Sequence, residues 1–298
     1  MKRRQNMKKK EKTLYKALWF TGFAGPAAIC FVLVMLVPFI YGIYLTLTDW
    51  NGISADKAFV GLKNYGAVFG DSAFWHSLGL TVVYSAVSVV LINIMAFALA
   101  YLVTSGIKGQ NFFRAGFFTP NLIGGLVLGY IWQFVFSRAL VTAGQNLNIG
   151  FLSSSWLSDP IKAMAALIVV SVWQNSGFMM LIYIAGLTGV PGELVEAGVI
   201  DGCGKKQLLR HIILPQMASS FIICLFLSIT RCFMTYDLNL SLTDGGPFGS
   251  TQMASMYVYQ KAFVSKNYGM GQTEAVILFL ICAAVSITQV WIGKRKEV

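Results

Sequence analysis

Gly189-Val-Pro-Gly-Glu-Leu-Val-Glu-Ala-Gly-Val-Ile-Asp-Gly-Cys-Gly-Lys-Lys-Gln-Leu-Leu-Arg-His-Ile-Ile-Leu-Pro215 separates two long apolar runs and resembles neither in composition. Pro191 suits a first helical position, Glu193 and Glu196 complement the positive end of a helix, and Gly202 after Asp201 supplies a left-handed stop. A short helix is therefore expected over about 191–200. Beyond the turn, Leu208, Leu209, Ile212 and Ile213 share one face while Lys205, Lys206, Gln207 and Arg210 lie elsewhere, the pattern of a helix lying along a membrane surface. Pro215 is expected to break that helix before the next apolar run. A helix-turn-helix so placed is suited to taking a rigid push from a partner. Geometry alone equally allows a hairpin that merely connects its neighbours.

The flanking runs belong to a set of six, at about 17–47, 78–104, 113–137, 161–188, 217–240 and 274–293, each long enough to cross a bilayer core as a helix. The first run is too long for a signal-peptide core and no small-residue cleavage site closes it, so it is expected to be retained, with Pro26 and Pro38 as kink candidates. Only 12% of the 298 residues are charged, about half the share of an ordinary soluble domain, and 56% are hydrophobic. These features predict an all-α integral membrane protein with six transmembrane helices.

Net charge is +11, but the basic residues sit at the edges of the spans rather than along a nucleic-acid-binding stripe. The tail (Lys2, Arg3, Arg4, Lys8, Lys9, Lys10, Lys12, Lys16), Lys108 and Arg114, the 189–216 loop, and Lys294, Arg295 and Lys296 hold most of them. The opposite loops carry only Lys57, Lys63, Arg138, Lys162, Lys261 and Lys266. The positive-inside rule therefore puts both termini and the 189–216 loop in the cytoplasm. The expected organisation is a basic lipid-contacting tail at 1–16, a membrane domain at 17–293 and a short cytoplasmic tail at 294–298. Trp50, Trp75, Trp132, Trp156 and Trp291 near span ends suit interfacial anchors.

The loop carries a specific resemblance. Glu196-Ala197-Gly198, then Asp201-Gly202, then Ile212, Leu214 and Pro215 resemble the EAA loop of ABC importer permeases, with Gly198 and Cys203 standing where the pattern has alanine. Phe59-Val-Gly-Leu-Lys-Asn-Tyr65 with Phe74-Trp75 is similar to the first external loop of carbohydrate-importer permeases. Tyr236-Asp237-Leu238 with Thr243-Asp244-Gly-Gly-Pro247 resembles an external loop of the maltose-type first permease subunit, which usually has glycine where Asp244 stands. The resemblance implies the MetI-like permease fold and a binding-protein-dependent carbohydrate importer in a bacterial-type cell membrane. It further implies as partners a second permease, two copies of a cytoplasmic ATPase and an extracytoplasmic solute-binding protein. Carried over residue by residue, it makes Glu196, Ala197, Gly198, Asp201 and Gly202 the ATPase-coupling positions, with Glu196 docking and Gly202 turning.

Ser171, Gln174, Asn175 and Phe178 fall on one helical face, and Ser228, Arg231 and Thr235 on another. Polar groups at bilayer depth face a bundle interior or a watery path, and Arg is costly elsewhere. These faces are candidates for a solute path, helix-to-helix hydrogen bonding being the competing reading. The resemblance favours the path, since the helices flanking the EAA loop supply the family's solute site. Thr81, Tyr84, Ser85 and Ser88, like Asn121, Gly124, Gly125 and Gly129, read mainly as packing. A phosphorylated polyol or other polar solute is the alternative to a carbohydrate, because Arg231 could pair with an anion.

No nucleotide or cofactor site is expected. The run Gly202-Cys-Gly-Lys205-Lys206 lacks the first glycine of a phosphate loop at Val199 and its Ser/Thr at Lys206. Five cysteines without CxxC spacing and two histidines, His76 and His211, expected on opposite sides of the membrane, support neither a disulfide framework nor a metal site. An integral-membrane enzyme, the alternative from another class, would need converging carboxylates that the spans do not offer, and an ion channel would need charged rings or a filter motif.

Overall fold

Prolines, glycines and caps divide the apolar chain into helices. The computed structural model describes Tyr15, residues 19–54 and residues 56–295. The tail expected at 1–16, apart from Tyr15, and residues 296–298 lie outside the described residues. Helix α1 (Trp19–Leu45) is followed by α2 (Lys63–Gly70), α3 (Ser72–Thr104), α4 (Gln110–Leu122), α5 (Gly125–Asn146) and α6 (Pro160–Thr188). Then come α7 (Gly192–Ile200), α8 (Lys205–Gln216), α9 (Ala218–Phe233), α10 (Asp237–Leu242), α11 (254–264) and α12 (Tyr268–Arg295). The described residues hold no strand beyond an isolated bridge between Thr48 and Phe59.

Five of these helices, α1, α3, α5, α6 and α12, are long and apolar enough to cross a membrane. A sixth candidate crossing is composite. Helix α9 has 16 residues, fewer than the roughly 20 a bilayer core needs, and qualifies only together with α8, from which it is bent by 68°. The bend lies at Met217, two residues beyond Pro215, where the break was expected. A π-helical turn, Leu209–Ile213, ends two residues before Pro215, and another, Val32–Leu36, two residues before Pro38. The proline ring removes one hydrogen bond and crowds the carbonyl four residues back, and a wider turn accommodates both. Pro26 lies in ordinary α-helix.

Two spans differ from their sequence boundaries. The run 113–137 is interrupted: α4 ends at Leu122, just past Pro120, the chain is extended at Ile123, and α5 starts afresh at Gly125. The run 217–240 stops at Phe233, and a break at residues 234–236 leads into α10. These two breaks face each other. A side chain on Gly129 would collide with Ser241 of α10, so glycine there allows the backbones of α5 and α10 to meet.

The main core joins α3 and α6 through Tyr84, Ile92, Ala96, Ala100, Ala166, Leu167, Met179 and Tyr183, with Cys224 from α9. Within it Tyr183 Oη donates to Asn93 Oδ1 (2.7 Å), and Asn93 Nδ2 donates to Ser228 Oγ (3.0 Å). These bonds tie three spans together where an unpaired polar group is costly. At the end where α3 begins, Asp71 caps that helix by accepting from the N–H groups of Ala73 and Phe74. The same carboxylate pairs with Lys261 of α11 (2.9 Å) and accepts from Tyr257 Oη.

Candidate functional site

Residues of the two broken spans and α6 line an open cavity of about 490 Å3. Ser171, Gln174 and Asn175 enter it from α6, Asn121 and Gly125 from the α4–α5 break, and Arg231 and residues 234–238 from the α9–α10 break. Arg231 Nη1 donates to Asn121 Oδ1 (2.9 Å) and to Asn175 Oδ1 (3.0 Å). Its guanidinium carbon lies 4.4 Å from the centre of the Phe178 ring. Asn175 Nδ2 in turn donates to the Ser171 carbonyl (2.9 Å), which fixes the amide so that its oxygen faces the arginine. Gln174 Nε2 donates to the Ile123 carbonyl (3.2 Å), which the chain break frees from helical bonding.

The sequence-derived faces are divided by this arrangement. Ser171, Gln174, Asn175 and Arg231 line the cavity; Phe178 does not, and lies instead under the guanidinium. Ser228 lies outside the cavity, fully buried, donating to the Cys224 carbonyl and accepting from Asn93. Asn121 and Gly125, read from sequence as packing, and Tyr236 and Asp237, read as part of an external loop, also line the cavity. Asn121 carried a detectable signal, an amide next to a proline and a glycine pair that predict a break in the span.

The loop after α6 forms a hairpin of α7 and α8. Helix α7 ends in a Schellman arrangement: the Cys203 N–H donates to the Gly198 carbonyl (2.9 Å) and the Gly202 N–H to the Val199 carbonyl (3.0 Å), with Gly202 at φ +82°. Helix α8 is capped by Gln207 Oε1, which accepts from the Gly204 N–H (2.8 Å). Gly198 is buried where α7 meets Leu208 and Ile212 of α8. Glu196, Ala197, Val199, Asp201 and Ile200, the last 85% exposed, remain open on the other side of α7.

Residues 92–298 match the model of the family described as "Binding-protein-dependent transport system inner membrane component". The chain belongs to this family. The permease is 40% identical to the probable starch degradation products transport system permease protein AmyD of Thermoanaerobacterium thermosulfurigenes over 98% of its own length and 99% of that protein. It is 32% identical to the multiple sugar-binding transport system permease protein MsmF of Streptococcus mutans, over 94% and 97% of the two chains. Its fold matches that of a bacterial ABC transporter involved in the import of the acidic polysaccharide alginate, with a TM-score of 0.78 at 16% identity over 98% and 99% of the two chains. The permease is thus a multi-pass membrane component of a binding-protein-dependent transport system, and its fold is the all-helical one implied by the EAA resemblance.

Proposed function

We propose that this permease forms part of the translocation path for a carbohydrate, and that the cavity around Arg231 is where the solute passes. The observation that carries the reading is the cavity itself, an open cleft built by two broken spans and α6 and lined by amide, hydroxyl, carboxylate and guanidinium groups. Amides, a guanidinium, a carboxylate and the Tyr236 ring are the groups that bind polyhydroxylated solutes. The sugar-transport names of the relatives support the same class. Solute contacts fall to Ser171, Gln174, Asn175 and Arg231, joined by Asn121, Tyr236 and Asp237; Phe178 and Ser228 hold their neighbours in place.

The α7–α8 hairpin is the coupling element. Glu196, Ala197 and Asp201 face the ATPase, while Gly198 and Gly202 shape the helix that presents them. The hairpin lies between the end of α6 and the start of α9, the two helices that bring Asn175 and Arg231 to the cavity. At 1.5 Å per residue, Asn175 is about 20 Å along α6 from the hairpin. Movement of the hairpin as two ATPase copies close would tilt both helices and alternate access to the cavity. The complex also holds a second permease and an extracytoplasmic solute-binding protein, with both termini and the hairpin in the cytoplasm.

An anionic solute has one observation in its favour: among the described residues no carboxylate lies within ion-pair distance of Arg231. Against it, Asp237 lines the same cavity, and two amide oxygens already hold the guanidinium. Uptake of labelled neutral and phosphorylated solutes separates the two. Asn175→Leu should reduce uptake by between about fivefold and about 150-fold with the complex still co-purifying, because a group left unsatisfied costs about 1–3 kcal/mol. Arg231→Gln should retain much of neutral-sugar transport and lose most transport of a phosphorylated solute. Normal uptake by Asn175→Leu would make the α6 face packing only.

A further inference from the structure

Five aromatic rings from four separate segments form a continuous row that starts in the cavity. Tyr236, on the cavity wall, has its ring centre 4.9 Å from that of Tyr259. Tyr259 is 4.8 Å from Phe263, Phe263 is 5.0 Å from Tyr268, and Tyr268 is 5.2 Å from Trp50 in the loop after α1. The middle of the row is open, with Tyr259 41% and Phe263 52% exposed.

The surrounding structure holds this row in place. Tyr259 and Phe263 are one turn apart on α11, and Lys261, two residues from each, points to the other side of that helix, where it is fixed to Asp71. The ion pair therefore turns the ring-bearing face of α11 away from α3. At the far end, the Trp50 carbonyl accepts from the Gly269 N–H (3.0 Å) and Trp50 Nε1 donates to the Ser54 carbonyl (2.7 Å). Gly52 leaves room for the Tyr268 ring, which a side chain at that position would strike.

An aromatic girdle at the membrane interface is the competing account, and such girdles are made of Trp and Tyr whose polar tips face water. Two observations speak against it. The row leads into a polar cavity instead of running around the molecule, and its most exposed member, Phe263, has no polar tip.

We propose that the row is a stacking track along which the rings of a neutral oligosaccharide move from the outer loops to the cavity. The proposal rests on the reading of the cavity as the solute path. The apolar C–H faces of sugar rings pack on aromatic surfaces, and the exposed sides of Tyr259 and Phe263 offer such surface in the middle of the row, while Lys57 Nζ lies 4.5 Å from the centre of the Trp50 ring at its far end. A longer glycan engages more of the row at once, so its transfer depends more heavily on the track.

The test measures uptake of labelled maltose, maltotriose and maltotetraose by the complete importer in its membrane. Phe263→Leu should lower maltotetraose uptake about threefold relative to maltose, and Tyr259→Leu with Phe263→Leu about tenfold, equivalent to about 1.4 kcal/mol. Phe263→Trp should restore the unaltered ratio, because it keeps a ring. Equal losses for all three sugars, or no loss in the leucine variants, would overturn the track. Should the double variant fail to assemble, the ratio in Phe263→Leu alone decides, since that ring is half exposed. Asn175→Leu, measured alongside, isolates the parent reading: its normal uptake would remove the cavity as the path, whereas its failure beside an unaffected Phe263→Leu would remove only the track. Absence of uptake of all three sugars by the unaltered importer would overturn both.

Discussion

Gly198 lies in α7 and Gly202 just past its end, and each is glycine for a different reason. At Gly202 the space around the residue is open, but φ is +82°, a conformation that costs a side chain-bearing residue about 1–2 kcal/mol. At Gly198 the backbone is ordinary helix, and the constraint is contact: an added methyl would meet the flexible tips of Ile212 and Leu208, which can move aside. Gly198→Ala should therefore leave transport and ATPase co-purification near the unaltered level, whereas Gly202→Leu should uncouple them, with the permease still inserted but uptake lost. Vesicle uptake and ATP hydrolysis measured on the same preparations check both; normal coupling in Gly202→Leu would contradict the role given to the hairpin. The sequence reveals Gly202 because a glycine after an acidic helix end has few other uses. It does not reveal that Asn121 and Arg231 share a hydrogen bond across 110 residues, since no local pattern records which breaks meet.

Among the elements, α11 depends most on a single ion pair. Burial opposes the charge on Asp71, but hydrogen bonds from Lys261, Tyr257 and the Phe74 N–H, together with the lysine charge, outweigh it and hold the carboxyl below its usual range. Burial likewise opposes the Lys261 charge, and its bonds to Asp71 and Tyr257 overcome it, raising the ammonium above its usual value. The carboxylate's contribution to stability is present above its ordinary value of 3.8 and is lost as pH falls through the depressed one. The ammonium's contribution is complete below its ordinary value of 10.5 and is lost only as pH rises through the raised one. Asp71→Asn preserves the cap on α3, because asparagine caps as well as aspartate, and so isolates the pair. It should cost about 1–2 kcal/mol across the neutral range, with the difference from the unaltered protein vanishing well below pH 3.8. Thermal unfolding of the detergent-solubilised permease at several pH values reads this, and a pH-independent difference would show that the pair contributes nothing. The long helices α1, α3, α6 and α12 were legible as apolar runs, α6 almost to the residue. The interrupted runs at 113–137 and 217–240 were not, because their broken turns are as apolar as helix, and Pro120 alone does not say whether the chain kinks or restarts.

For the whole molecule, the distribution of basic residues predicts an orientation that the helix bundle alone does not. A reporter fused after Val298 and a cysteine introduced at Ala197 in a cysteine-free background should both behave as cytoplasmic. Labelling of that cysteine by an impermeant reagent applied to intact cells would reverse the entire arrangement, the hairpin and the aromatic track with it. The sequence by itself determined the all-helical membrane class, the helix-turn-helix after the fourth apolar run, and the family, because each depends on local composition or on a short contiguous motif. Only the tertiary structure decided that Asn121, Asn175 and Arg231 meet, that Ser228 is buried away from the cavity in a bond with Asn93, and that a row of rings leads outward from Tyr236. Polar side chains on apolar helices have the same spacing whether they face a cavity or a neighbouring helix, and the packing of breaks far apart in the chain sets which of the two they do.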